Sequence, residues 1–296
     1  MSSEGQTLAG ESLLVRYVNF VRLPHTVFAL PFALLGVVVA SHGYAVTWRI
    51  LGLVVVAFTA ERFVAMGFNR IADRDLDARN PRTRARELPA GRLTLGQAWA
   101  AVVVAAALFL WSAWALNPFC FRLSPIALAV VTLYSYSKRF TWWSHAWLGF
   151  GDAIAGPAGY LAVSGRWSEP WWLLWMLAAV VTFWVGGFDI FYALQDEHFD
   201  RVEKLHSAVV QFGRAGSMLV AKVMHGLAVL ALLAFGAGAG LGPAYYAGVA
   251  LGAAIMAYEH RLVSPSDLSR LDAAFFGANG LVSIVVFLGA LVDRVL

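Results

Sequence analysis

Charge is scarce in this chain. Asp, Glu, Lys and Arg make up 14% of its 296 residues, against roughly 25% in soluble domains. An ordinary soluble domain is excluded. One cysteine, Cys120, rules out an internal disulfide and any cysteine-built metal site, and it is expected only to pack. The histidines at 25, 42, 145, 198, 206, 225 and 260 show no metal-ligand spacing, and each reads as a packed or interfacial residue. No linker, low-complexity tract or soluble insert interrupts the sequence, so residues 1–296 are expected to form a single membrane domain. The polar start MSSEGQTLAGES lacks the basic stretch of a secretory signal, and no cleaved leader is expected.

What the chain has instead is apolar length. Hydrophobic residues make up 60% of it. They fall into nine runs at 16–41, 47–68, 96–116, 121–137, 145–164, 170–193, 214–236, 242–259 and 272–293. Each is about long enough to cross a ~30 Å hydrocarbon layer. The expected fold is an all-α polytopic membrane protein of nine transmembrane helices. With the N-terminus cytoplasmic, 17 of the 22 Lys and Arg fall at cytoplasmic ends and loops, 4 fall opposite, and Arg62 lies within a span. That bias predicts N-in orientation. It also accounts for the pI near 9.4 as cytoplasmic-loop charge rather than a nucleic-acid surface. Trp48, Trp142, Trp143, Trp167, Trp171 and Trp172 sit at span ends, where an interfacial aromatic belt belongs.

Two acidic clusters close long apolar runs on the predicted cytoplasmic side. The first is Asn69, Asp73 and Asp77 in NRIADRDLD. The second is Asp196 and Asp200 in YALQDEHFD, with Asp189 seven residues upstream. On a continuous helix, steps of four advance only about 40°, so each set would line one stripe. Carboxylates at a membrane helix are costly and mark function, and converging anions repel unless a cation lies between them. Oxygen-only ligands suit a hard ion such as Mg²⁺, which takes one or two carboxylates with phosphate and water. The clusters are 123 residues apart, which hints at an internal repeat carried only by the DxxxD spacing. The 78–95 loop contains Pro81, Pro89 and Gly91 and is not expected to be one helix; a lid and a solvated connector are both open for it.

Between the clusters lies YSYSKRFT, with Tyr134, Lys138 and Arg139 at the cytoplasmic end of the fourth run. Beside two acidic clusters these cations read as phosphate contacts, Arg by a bidentate fork and Lys as a point charge. Arg62 lies on the stripe of Asn69; a local pair with Glu61 or an Asp, and a diphosphate contact, are both open for it. Arg22 begins the first run, followed by Pro24 and Pro31, which are expected to kink it.

These residues resemble the motifs of the UbiA superfamily of intramembrane aromatic prenyltransferases. NRIADRDLDARNPRT is similar to its Asn-x3-Asp-x3-Asp motif, YSYSKRFT to its Tyr-x3-Lys motif and DIFYALQDEHFD to its Asp-x3-Asp motif. The resemblance implies a nine-helix bundle around a central cavity open to lipid. It implies that Asn69, Asp73 and Asp77 hold one Mg²⁺, that Asp196 and Asp200 hold a second, and that these four aspartates are catalytic. Arg22, Arg62, Lys138 and Arg139 would bind the diphosphate of a polyprenyl donor, with Tyr134, Asp189 and Tyr192 also on the substrates. The activity implied is polyprenyl transfer to an aromatic acid, of the 4-hydroxybenzoate type in ubiquinone synthesis. The run RELPAGRL and the tail EHRLVSPSDLSRLDAAFFGANG resemble menaquinone-associated relatives, which keeps a dihydroxynaphthoate-type acceptor open. The implied location is a bacterial-type inner membrane with a cytoplasmic active site, with lipid and the two substrates as partners and no nucleic acid or obligatory protein partner. An ion-coupled transporter is the non-enzyme alternative, but it does not explain acids gathered at one face beside basic residues. A CDP-alcohol phosphotransferase is disfavoured because its Asp-Gly-x2-Ala-Arg lead-in is absent.

Overall fold

The computed structural model describes residues 8–10, 12–22, 29–271 and 279–295. Among these there are thirteen α-helices and no strand. The helices are α1 Leu13–Phe20, α2 Leu30–Ala40, α3 Trp48–Ala72, α4 Arg74–Arg79, α5 Leu95–Leu116, α6 Pro118–Leu133, α7 Ser144–Ala153, α8 Ala155–Ser164, α9 Leu173–Ala193, α10 Glu197–Val202, α11 Ala208–Ala239, α12 Pro243–Leu262 and α13 Asn279–Val295. Five stretches are long and apolar enough to cross a membrane: Trp48–Ala72, Leu95–Leu116, Pro118–Arg139, Leu173–Val202 and Ala208–Ala239. Their outward side chains include Val103, Val104, Trp111, Trp114, Leu219 and Leu230, all exposed. Apolar surface of that extent belongs against lipid, and the chain is an integral membrane protein.

The chain divides into two compact units, Met1–Val27 with Gly52–Tyr136, and Phe28–Leu51 with Ser137–Leu296. In the first, α5 packs on α6. Phe20, Val21, Leu88, Leu93 and Ala98 form a small core that includes residues of the 78–95 loop. Gly67 admits this packing, because a Cβ there would lie 2.7 Å from Val102 and 3.2 Å from Phe20. A Thr94/Gln97 capping box starts α5, and Asn117 with Pro118 starts α6.

The second unit is larger. α9 packs on α7 and α11, α2 on α8, and α12 on α13. Helices α2 and α8 meet backbone to backbone: a Cβ on Gly159 would run into the Ala33 carbonyl, and one on Gly36 into that of Gly156. Small residues allow the same close approach between other membrane helices. Polar side chains fix four helices further in. Trp184 donates to Asn279 (3.1 Å), and Asn279 donates to the buried Glu259 (3.1 Å). His225 lies 3.3 Å from the Trp184 carbonyl and 3.0 Å from His260. A carbonyl only accepts, so His225 carries its proton on Nε2 and receives one from His260.

Polar contacts tie the loops together at the two ends of this unit. At one end Arg294 donates to Ser41 Oγ (2.9 Å), Arg166 donates to Tyr44, and Asp293 caps α12. At the other, His206 N–H donates to the Lys138 carbonyl (2.7 Å). There Arg214 joins Glu197 (2.6 Å) to the Pro265 carbonyl (3.3 Å).

Two of the nine expected runs are not single helices. The run at 16–41 is broken after α1, where Val21 is the C-cap and Arg22 takes a left-handed φ of 47°. Pro24, expected to kink it, lies outside the described residues, and Pro31 sits in the first turn of α2, where its missing N–H costs nothing. The run at 145–164 divides into α7 and α8 at Ile154. The last run begins outside the described residues and continues as α13. As expected, the 78–95 loop forms a series of turns.

Asp293 accepts from the backbone N–H of Gly242 (2.8 Å), Ala244 (3.0 Å) and Tyr245 (2.8 Å). It serves the unpaired start of α12 from another helix. Asp293→Ala is expected to cost about 1–2 kcal/mol, the worth of a good N-cap, and to lower the melting temperature in detergent. Asp293→Asn, which keeps one acceptor oxygen, is expected to fall between the two; an unchanged melting temperature for the Ala variant would contradict this.

Candidate functional site

Both acidic clusters sit where a long helix breaks. The run that carries Asn69 stops at Ala72, Asp73 leaves helical geometry (φ −97°, ψ 7°), and the six-residue α4 follows. Backbone bonds Asp73 N–H to Asn69 O (2.9 Å) and Asp77 N–H to Asp73 O (2.7 Å) preserve the four-residue step across the break. Asn69 Nδ2 donates to Asp73 Oδ2 at 3.0 Å. Asp77 is buried. Its Oδ1 receives Arg86 NH1 at 2.6 Å, and its backbone carbonyl receives the Thr83 hydroxyl at 3.1 Å. Arg62 is buried on α3, as is Glu61 beside it. Tyr134 opens the 3₁₀ turn Tyr134–Arg139 that ends α6. Next to it in the same unit, Tyr136 packs edge-on against Phe68 at 6.0 Å.

The second cluster repeats this construction. Helix α9 ends at Ala193, Leu194–Asp196 tighten into a 3₁₀ turn, Asp196 adopts φ −97° and ψ 2°, and α10 follows, again six residues long. Asp196 and Asp200 are buried, Asp200 to 2% exposure. A 3₁₀ turn winds ~20° more per residue than an α-helix. Asp189 is therefore rotated off the stripe that a straight helix would give it with Asp196 and Asp200. It has its own partner: Oδ2 lies 2.7 Å from His145 Nδ1. The other ring nitrogen, Nε2, accepts the Ala208 N–H at 3.3 Å. That donor leaves Nε2 without a proton, so His145 carries it on Nδ1 and donates to Asp189.

Lys138 acts on the second cluster through its charge. It is the main attractive charge on Asp200, with Asp196 opposing it and Ser207 alongside. The His206–Lys138 backbone bond holds the 203–207 loop to the 3₁₀ turn. Arg139 is exposed at the end of that turn, and Tyr192 is partly buried on the last turn of α9. The sequence reading missed two residues. Arg86 counted there only as a cytoplasmic cation, and His145 only as a packed histidine; nothing in their spacing pointed to Asp77 or Asp189.

The oxygens suit a hard divalent cation. Asp77 Oδ2 and Asp200 Oδ2 are buried with no hydrogen-bond partner, a condition that costs about 1–3 kcal/mol each unless something else serves them. Among the described residues, no three His, Cys, Asp or Glu side chains stand close enough to enclose an ion. An open donor set of this kind fits Mg²⁺, which keeps several waters and shares its remaining positions with phosphate.

Known proteins agree. The UbiA prenyltransferase family matches residues 29–281. A 4-hydroxybenzoate octaprenyltransferase of Aromatoleum aromaticum is 35% identical over 233 residues, 77% of this chain and 76% of that protein. One of Alkalilimnicola ehrlichii is 30% identical over 245 residues, 83% of this chain and 82% of its own. Among solved structures, the apo form of a UbiA homolog from Aeropyrum pernix K1 superimposes with a TM-score of 0.83 at 32% identity, covering 92% of this chain and 98% of that one. A UbiA homolog from Archaeoglobus fulgidus bound to GPP and Mg²⁺ shares the fold, with a TM-score of 0.66 at 17% identity over 95% of this chain and all of its own. By its motifs, its helices and these relatives, the chain belongs to the UbiA prenyltransferase family.

Proposed function

We propose that the protein transfers a polyprenyl group from polyprenyl diphosphate to 4-hydroxybenzoate or a close aromatic acid, in respiratory quinone synthesis. The observation that carries this reading is the 35% identity, over three quarters of both chains, to a 4-hydroxybenzoate octaprenyltransferase. The naphthoate-type acceptor rests only on the RELPAGRL loop and the C-terminal tail. The relatives described above carry the 4-hydroxybenzoate name, and that acceptor is the one proposed. The whole chain acts as one prenyltransferase domain. Its nine spans are α2, α3, α5, α6, α7 with α8, α9, α11, α12 and α13, in a bacterial-type inner membrane with the N-terminus and active site cytoplasmic.

In this mechanism Asn69, Asp73, Asp77, Asp196 and Asp200 are the oxygen ligands. Bound Mg²⁺ supplies the positive charge that lets diphosphate leave an allylic carbon. Arg22, Arg62, Lys138 and Arg139 neutralise the phosphate oxygens as the C–O bond breaks. Tyr134, Asp189 and Tyr192 orient the substrates, with Asp189 fixed by His145. The ring carbon of the acceptor forms the new C–C bond and then loses its proton. Excluding water keeps the allylic carbon from being hydrolysed first.

Three experiments bear on this. Purified protein incubated with a prenyl diphosphate and 4-hydroxybenzoate is expected to give prenylated acid only with a divalent cation, read by mass. Full turnover in excess chelator, with metal content measured as nil, would refute the scheme.

Asp73→Asn and Asp196→Asn are expected to fold normally yet slow transfer by ~10²–10³ or more, the usual worth of one fixed electrostatic contact. Asp75→Ala serves as control, because its side chain is 81% exposed and pairs only with the neighbouring Arg74; it is expected to stay within a few-fold of wild type.

Orientation is tested with single cysteines in a Cys120→Ser background. A cysteine at Ala90, exposed in the 78–95 loop, is expected to react with an impermeant thiol reagent only after the membrane is opened. One at Ala45, exposed at the opposite end of the helices that flank it, is expected to react in intact cells. The reverse pattern would overturn the topology.

A further inference from the structure

Arg86 meets Asp77 in a way that the general scheme leaves unused. The contact is short, 2.6 Å from NH1 to Oδ1, and both side chains are largely shielded from solvent, at 13% and 9% exposure. Arg86 is not carried there by a flexible tail. Its N–H donates to the Thr83 carbonyl (2.9 Å), its own carbonyl accepts from Ala90 (2.9 Å), and Thr83, itself buried, donates its hydroxyl to the Asp77 carbonyl (3.1 Å). The loop therefore grips Asp77 twice, by main chain and by carboxylate. A further pair, Arg92 with Glu87 (3.1 Å), braces the same turns, and Leu88 and Leu93 anchor them in the small core beneath.

The carboxylate is served on one side only. Oδ1 has Arg86, while Oδ2 is buried with no hydrogen-bond partner. A guanidinium that served only to neutralise Asp77 would do so best as a two-pronged fork onto both oxygens. We infer that Arg86 is a positioning residue for metal binding: by holding Oδ1 it fixes the carboxylate and leaves Oδ2 as a one-oxygen ligand for the divalent cation. Carboxylate ligands are commonly held by such outer hydrogen bonds. The inference rests on the reading of Asp77 as a metal ligand. It gives the 78–95 loop a part in assembling the metal site before substrate arrives.

The sign of one measurement separates this role from its opposite. If Arg86 merely stood in for the missing cation, removing it would tighten metal binding. If it positions Asp77, removing it weakens binding. The experiment follows Mn²⁺ binding to purified protein by electron paramagnetic resonance, in the presence of a non-cleavable prenyl thiolodiphosphate, without any turnover. Arg86→Ala is expected to weaken Mn²⁺ binding about 10–100-fold, the usual effect of losing an outer partner. Arg86→Lys, with one donor and the charge retained, is expected to recover part of it. Unchanged or tighter binding in both variants overturns the inference. Asp77→Asn tells this failure from a deeper one: if it loses Mn²⁺ while both Arg86 variants keep it, only the positioning role is wrong, whereas if it too binds normally, Asp77 is no ligand. Should Arg86→Ala not survive purification, the Lys variant decides, and wild-type affinity with a wild-type melting temperature counts against the proposal.

Discussion

A buried carboxylate needs a counter-charge, and this requirement governs how the surroundings of each acidic cluster are built. Asp77, Asp196 and Asp200 lie below the surface at the ends of apolar helices, where an ionised oxygen without partners is strongly penalised. Every local arrangement around them answers that penalty. Arg86 is drawn onto Asp77, and the charge of Lys138 offsets part of the burial of Asp200. The segments that supply these cations are in turn tied down, by the Thr83 hydroxyl donating to the Asp77 carbonyl and by the His206 N–H donating to the Lys138 carbonyl. The oxygens left over, Asp77 Oδ2 and Asp200 Oδ2, are those that the proposed mechanism gives to a divalent cation.

Most of the architecture was legible in the sequence because hydrocarbon thickness and backbone hydrogen bonding leave few options: apolar runs of this length become helices. Within the larger unit, the contacts of Arg294 with Ser41 and of His206 with Lys138 join loops that the charge pattern assigns to different faces. The acidic and basic motifs were found as residues but not as geometry. A four-residue spacing looks helical, yet a 3₁₀ turn at Leu194–Asp196 rotates Asp189 away from its neighbours and onto His145. Partners brought in by tertiary contact, Arg86 and His145, leave no periodic trace. The break after Phe20 was hidden because the chain stays apolar straight across it, and left-handed backbone at Arg22 is not a signal that arginine carries.

The internal repeat suggested by DxxxD spacing is stronger in conformation than in sequence. Asp73 and Asp196 share φ of −97° with ψ of 7° and 2°, each precedes a helix of six residues, and each is followed four residues later by a buried aspartate. Around them the residues differ: Arg86 attends one pair, Lys138 with His145 the other. The two breaks share a backbone form, while the groups beside them come from different parts of the chain.

That shared break has a mechanical side. A break between a long helix and a short one lets the short helix take a direction of its own while the long helix stays seated among its neighbours. Asp73 and Asp196, proposed above as ligands, also stand where a long helix gives way to a short one. The apolar helices can then suit the lipid and the short helices the polar groups beyond them, with each change ending at the break.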